Sequence, residues 1–138
     1  MVEAKQELVC AWLIKSQHDL DTAHQIAGLP GGHLDAAIYH CQQAAEKALK
    51  GFLAFQDHRL ERTHDIERLV TLACSYESAF ADWVDAGITL TPYATAYRYP
   101  GEPGMLEPSR AEFDDALRAS EGIIRCVLSK LPPELELP

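Results

Sequence analysis

The apolar residues Leu34, Ile38, Cys41, Ala45, Ala48, Leu49 and Phe52 recur in steps of three and four. That spacing places them on one face of an α-helix and predicts a core helix over residues 35–55. The opposite face carries His40, Gln43, Glu46, Lys47 and Lys50. Glu46 precedes Lys50 by four residues, the favourable order for a helical ion pair. The alanines of this run favour helix and let a neighbouring helix come close.

The same periodicity organises the rest of the chain. Leu8 or Val9, with Trp12, Leu13, Ser16, Leu20, Ala23 and Ala27, forms a stripe that predicts a first helix over residues 3–27. The Gly-Leu-Pro-Gly-Gly break at residues 28–32 ends it, and so short a loop makes the two long helices antiparallel neighbours. Residues 56–62 are polar and read as loop. Thr63 is placed to cap a third helix whose face is Ile66, Leu69, Val70 and Ala73. Residues 81–86 read as a short helical turn ended by Gly87. Thr91-Pro92 reads either as an N-cap with proline at the first helical position or as a kink in a helix begun near Asp85. That segment carries Tyr93, Ala96 and Tyr97, and stops near Tyr99 because a residue before proline is pushed to extended geometry. Residues 100–108 are a loop by composition. Ser109 and Glu112 form a capping box for a last helix with the stripe Phe113, Leu117, Ser120, Ile124, Val127 and Leu131, ended by Pro132-Pro133. The expected architecture is all-α: an antiparallel up-and-down bundle of four main helices plus a short fifth. It forms one domain over residues 1–138, with its core at about 7–131 and a loose tail at 132–138.

The charge balance narrows the function classes. With 21 acidic and 12 basic residues, the net charge of −9 opposes broad affinity for nucleic acid, which needs many phosphates neutralised. It leaves room for a local basic pocket. No run is long enough to span a bilayer and the N-terminus has no signal-peptide pattern, so a cytoplasmic protein is expected. Cys10, Cys41, Cys74 and Cys126 are widely spaced and read as small buried apolar residues.

Two constellations carry chemistry. In Tyr97-Arg98-Tyr99-Pro100 a guanidinium lies between two aromatic rings before a proline stop. Such a group suits a phosphate or a base: arginine supplies a forked donor set and tyrosine can stack. The competing reading packs Tyr93 and Tyr97 into the core and pairs Arg98 with a carboxylate. In the second constellation Arg59 and Arg62 precede Thr63-His64-Asp65. His64 is expected in the first turn of a helix, where the dipole favours the neutral imidazole. A neutral imidazole can act as a base toward a ribose 2′-hydroxyl, with Arg59 or Arg62 steadying the phosphate. The competing reading makes His64 an exposed helix-start residue. Lys47 and Lys50 would add charge to an anion pocket if His64 or Arg98 lay beside them. No metal or other cofactor is expected, because the one Glu-x-x-His spacing, Glu61 to His64, falls in loop.

Taken together, Trp12…Asp19-Leu20…Ala23, Tyr39-His40-Cys41…Gln43-Ala44-Ala45-Glu46-Lys47-Ala48-Leu49-Lys50, Thr63-His64-Asp65-Ile66 and Tyr97-Arg98-Tyr99-Pro100 resemble the HEPN domain family. The resemblance spans about residues 7–131. It implies a helical bundle that forms a homodimer, from a family whose members are often encoded beside a minimal nucleotidyltransferase as halves of toxin–antitoxin pairs. Many members are metal-independent ribonucleases with an Arg-x4-6-His motif at the dimer cleft; others lack it and bind nucleotides or serve the transferase as partners. No histidine follows His64 here, and Arg59 with His64 matches the motif only between the second and third helices.

Three functions are therefore expected, in this order. The first is a nucleotide-binding or partner subunit of a nucleotidyltransferase. The second is a ribonuclease toxin using His64 with Arg59 or Arg98, and the third a bundle without ligand chemistry. The expected ligand-binding residues are Tyr97, Arg98, Tyr99, Lys47, Lys50 and Asp65, and RNA or a nucleotide is the expected ligand. A dimer would draw on the last two helices and the 100–108 loop.

Overall fold

The structure, a computed structural model, describes residues 2–101 and 107–135. Five α-helices follow one another among the described residues: α1 Val2–Gly28, α2 Leu34–Phe55, α3 Ile66–Cys74, α4 Val84–Leu90 and α5 Arg110–Ser129. Single 3-10 stretches, Ser78–Trp83 and Thr91–Ala94, flank α4. No strand occurs among the described residues, so the all-α expectation holds. The inner part of the expected 100–108 loop and the last three residues of the expected tail lie outside the described residues.

The bundle is built around α2, which packs most extensively against α1 and then against α5. Ala37, Ile38, Cys41, Ala44, Ala45, Ala48, Leu49 and Phe52 are all fully buried. Small residues set the spacing. A Cβ on Gly51 would come within 3.1 Å of the Trp12 Cβ, so α1 and α2 meet closely there. Both flanking helices also reach the α2 backbone with a buried serine. Ser16 of α1 donates to the Ala44 carbonyl at 2.6 Å, and Ser120 of α5 donates to the Cys41 carbonyl at 2.7 Å. Each serine sits within an apolar stripe because its hydroxyl has a carbonyl to bond, which removes the cost of burying it. At the far end of α1, Arg110 donates to the Ala27 carbonyl at 2.8 Å, so the start of α5 closes the C-terminus of α1.

Several elements differ locally from the expectation. Asp65, not Thr63, caps α3: its carboxylate accepts the Arg68 amide at 3.0 Å. Thr63 instead accepts the Asp65 amide, and the Ile66 amide bonds the hydroxyl of Thr91. Gly87 does not end a helix. It lies inside α4, where a Cβ would stand 3.0 Å from the Glu67 Cα, so its missing side chain lets α4 press on the α3 backbone. Of the two readings of Thr91-Pro92, the helix begun near Asp85 is the one found, tightening to 3-10 at the proline and ending at Ala94. Leu135, expected in a loose tail, is buried against the core.

Burial also accounts for the thiols. Cys41 and Cys126 are buried and Cys10 and Cys74 partly so, with no disulfide among them. Burial, with the negative charge of Glu121 adding to it, pushes the Cys41 thiol up to about 12.

Candidate functional site

Gln42, Glu46 and Lys50 recur every four residues along α2 and form a polar stripe inside the bundle. The expectation put Glu46 and Lys50 on the outward face, yet both are under one-tenth exposed. A charge can be buried when it is paired and its remaining lone pairs are bonded. Glu46 meets that condition. It accepts from Lys50 at 2.9 Å, from Gln42 at 3.2 Å and from the imidazole of His64 at 2.9 Å.

His64 is thus fixed from two sides. Gln42 donates to its backbone carbonyl at 3.0 Å, and Glu46 accepts from its ring Nδ1. The ring itself is 69% exposed. A carboxylate only accepts, so Nδ1 carries the proton toward Glu46 and Nε2 presents its lone pair outward when the ring is neutral. His64 lies one residue before the Asp65 cap and not in the first turn of α3. Its orientation therefore comes from Glu46, and the helix-dipole argument of the sequence does not apply to it.

Arg98 is positioned from another direction. The backbone of Tyr97 has φ +66, a left-handed conformation that only strong local contacts hold in a tyrosine. Those contacts end on Glu112, whose carboxylate accepts the Tyr93 hydroxyl at 2.6 Å and the Tyr97 hydroxyl at 2.8 Å. Ser109 caps α5 by accepting the Glu112 amide at 3.1 Å, while the Glu112 side chain is held by the two tyrosines, so only half of the expected capping box forms. The Tyr97 phenol is pushed above its ordinary value chiefly by the bond to Glu112; that of Tyr93 is raised first by burial and then by Glu112. The turn at Tyr97 lays the Arg98 guanidinium 3.9 Å from the Tyr39 ring centroid and 5.4 Å from that of Tyr99. One of its nitrogens donates to the Ala94 carbonyl at 3.0 Å. Around it opens a pocket of about 270 Å3 lined by Asp35, Ala36, Tyr39, Tyr97 and Arg98.

Tyr39 precedes Glu46 by seven residues, so Arg98 and His64 meet the same side of α2 about 10 Å apart along its axis. The pocket around Arg98 does not include His64 in its lining. The other candidates are engaged elsewhere. Lys47 binds Asp19 of α1 at 2.6 Å, and Asp19 also binds His40 at 2.8 Å. Lys50 is held by Glu46, and Asp65 is spent on its cap. Arg59 lines a different pocket, beside Trp12 and Lys50. His33, Asp35 and Glu107 bring possible metal-ligand atoms within 4.8 Å of one another at the start of α2, but Glu107 is taken by the Leu34 amide at 3.0 Å.

The residues that sequence reasoning missed are Glu46, Gln42 and Tyr39. The signal for Gln42 and Glu46 was the four-residue step of polar side chains Gln42, Glu46 and Lys50; Tyr39 lies off that step.

The chain is similar to two solved structures over most of the length of each. TT1696 from Thermus thermophilus is 31% identical, with a TM-score of 0.77 over 89% of this chain and 98% of that one. ST0689, an archaeal HEPN homologue, is 27% identical, with a TM-score of 0.71 over 88% and 96%. No curated protein matches the chain. The HEPN domain model matches residues 9–131, nearly the whole bundle including α2, His64 and Arg98, and the chain belongs to the HEPN domain family.

Proposed function

We propose that this HEPN protein is a nucleotide-binding module, acting as a homodimeric partner of a minimal nucleotidyltransferase in a toxin–antitoxin-like pair. The observation that carries the binding part is Arg98, stacked at 3.9 Å on Tyr39 at the mouth of an open pocket. Contact with the Tyr39 ring and the bond to the Ala94 carbonyl hold the guanidinium in place, and its other N–H groups can grip a phosphate with little ordering cost. Tyr99, 56% exposed beside it, offers a face for a base. The partner part follows the family resemblance.

The test is titration of ATP, AMP and a short RNA into the protein by calorimetry. Arg98→Ala is expected to weaken nucleotide binding at least about tenfold, the loss of one charge-assisted contact. Arg98→Lys is expected to restore only part of it, since lysine neither forks nor stacks alike. Unchanged binding in Arg98→Ala refutes the reading. A small nucleotidyltransferase gene next to this one, and co-purification of the two products, would support the pairing.

A second reading, a metal-independent ribonuclease toxin, is favoured by the carboxylate-oriented His64. Nε2 would take the proton of a ribose 2′-hydroxyl as that oxygen attacks phosphorus; the P–O5′ bond would break and the 5′-oxygen would leave with a proton from water, giving a 2′,3′-cyclic phosphate and a 5′-hydroxyl. Incubation with RNA in EDTA decides it. Cleavage lost in His64→Ala and in Arg98→Ala supports the enzyme; no cleavage leaves the binding module.

A further inference from the structure

A second pocket, of about 280 Å3, lies where α1, the last turns of α2 and the loop after it meet. Its walls are mostly apolar, with Trp12, Leu53 and Leu69 inside and Leu8 and Leu60 at the rim. Leu8 and Leu60 are 53% and 52% exposed, so apolar surface stays open to water there. Such a volume sits at the small end of ligand pockets.

The charges around the pocket decide what kind of ligand fits. Asp57 is paired with Lys5 at 3.1 Å, and Glu61 is bound by Arg68 at 3.2 Å and His58 at 3.4 Å. The Arg68 bond, first among several causes, holds the Glu61 carboxyl below its ordinary value. Lys50, which reaches the pocket from α2, is neutralised by Glu46 at 2.9 Å. Arg59 has no hydrogen bond or ion pair among the described residues. The unspent charge at the rim is therefore a single positive one, on a chain whose net charge is −9.

We propose that this pocket binds a small amphipathic monoanion, its apolar body against Trp12, Leu53 and Leu69 and its anionic group on Arg59. A polyphosphate is the wrong ligand, because Arg59 supplies the one unspent positive charge among the described rim residues and further negative charges would find no partner. The site is separate from the Arg98 pocket and does not rest on the nucleotide reading. Bound here, the ligand would lie one side chain from Glu46, through Lys50, and so two from His64.

Octanoate is the probe, with octanol as its uncharged counterpart, followed by NMR on 15N-labelled full-length protein. Saturable shifts are expected at the Trp12 indole N–H and not at Trp83, which packs on Gly122 of α5. Arg59→Ala is expected to weaken octanoate about tenfold and to leave octanol unchanged, since Arg59 contributes one charged contact. Excess AMP is expected not to displace octanoate. Absence of saturation up to millimolar octanoate overturns the proposal, as does equal binding of octanoate and octanol that Arg59→Ala leaves alone. The groove could instead be covered by a second copy of the chain. If Leu60→Asp turns a dimer into a monomer and octanoate does not compete with dimerisation, the proposal is likewise overturned.

Discussion

Glu46, 5% exposed in the centre of the bundle, accepts a 2.9 Å hydrogen bond from the imidazole of His64, 69% exposed at its surface. A buried charge thereby orients a solvent-facing ring. The two ends of this bond differ sharply in what they contribute. Glu46 also neutralises the buried Lys50, whereas His64 has water as an alternative partner.

Removing Glu46 should therefore unfold the protein more readily than removing His64. Glu46→Ala leaves Lys50 uncompensated in the interior and is expected to cost about 3–5 kcal/mol. His64→Ala breaks a half-solvated bond and should cost under about 1 kcal/mol. Urea unfolding of the two variants checks this. Equal midpoints would mean that Glu46 is not the buried hub. Replacing Lys50 by Met as well as Glu46 by Ala should recover part of the loss, because the orphaned charge is then gone.

Gly122 carries a second prediction. A Cβ there would overlap the Trp83 ring. Gly122→Ala forces the ring aside and is expected to destabilise by about 1–3 kcal/mol, despite the better helix propensity of alanine. Trp83 emission should shift to the red as the ring gains water. An unshifted spectrum with wild-type stability would show that the ring does not pack on α5.

The Tyr93–Glu112–Tyr97 cluster predicts a loss of stability in alkali. Both phenols are raised in the folded state, so folding favours their protonated forms. Their contribution is complete below the unfolded tyrosine value of about 10 and is lost as pH climbs through that value toward the higher folded ones. Urea midpoints between neutral pH and about pH 11 should fall more steeply for the wild type than for the Tyr93→Phe, Tyr97→Phe double variant. Parallel curves would remove the cluster from the alkaline transition.

A fourth expectation concerns the Cys41 thiol. It is held up at about 12 and sealed in the core, so iodoacetamide at about pH 8 should leave it unmodified until the protein is unfolded. Rapid modification in the native state, read by mass spectrometry of the tryptic peptide, would contradict its placement.

Much of the fold was legible because it depends on periodicity. The stripes through Leu13, Ile38, Cys41, Leu49, Phe52, Phe113 and Val127 name residues that are buried in the bundle. Even Ser16 and Ser120, polar members of those stripes, were placed on the right face. Helix boundaries were less legible where two caps compete. Thr63 and Asp65 are both acceptable caps, and the Thr91 hydroxyl, from a distant segment, occupies the α3 N-terminus beside Asp65.

The candidate site was legible as residue types and not as an arrangement. His64 and Arg98 stood out, but Glu46 read as a solvated helical residue because its local pattern is that of an exposed ion pair. The sequence by itself determined the helices, their stripes and the family to which the chain belongs, since these follow from spacing along one segment. Only the tertiary structure decided that α2 is covered on both sides by α1 and α5, which turned Glu46 and Lys50 from surface charges into a buried pair. Only it turned His64 toward Glu46, laid Arg98 on Tyr39 and moved Arg59 to another pocket. Those outcomes depend on which helix crosses which, and contacts between residues far apart in the chain leave no periodic trace within any one segment.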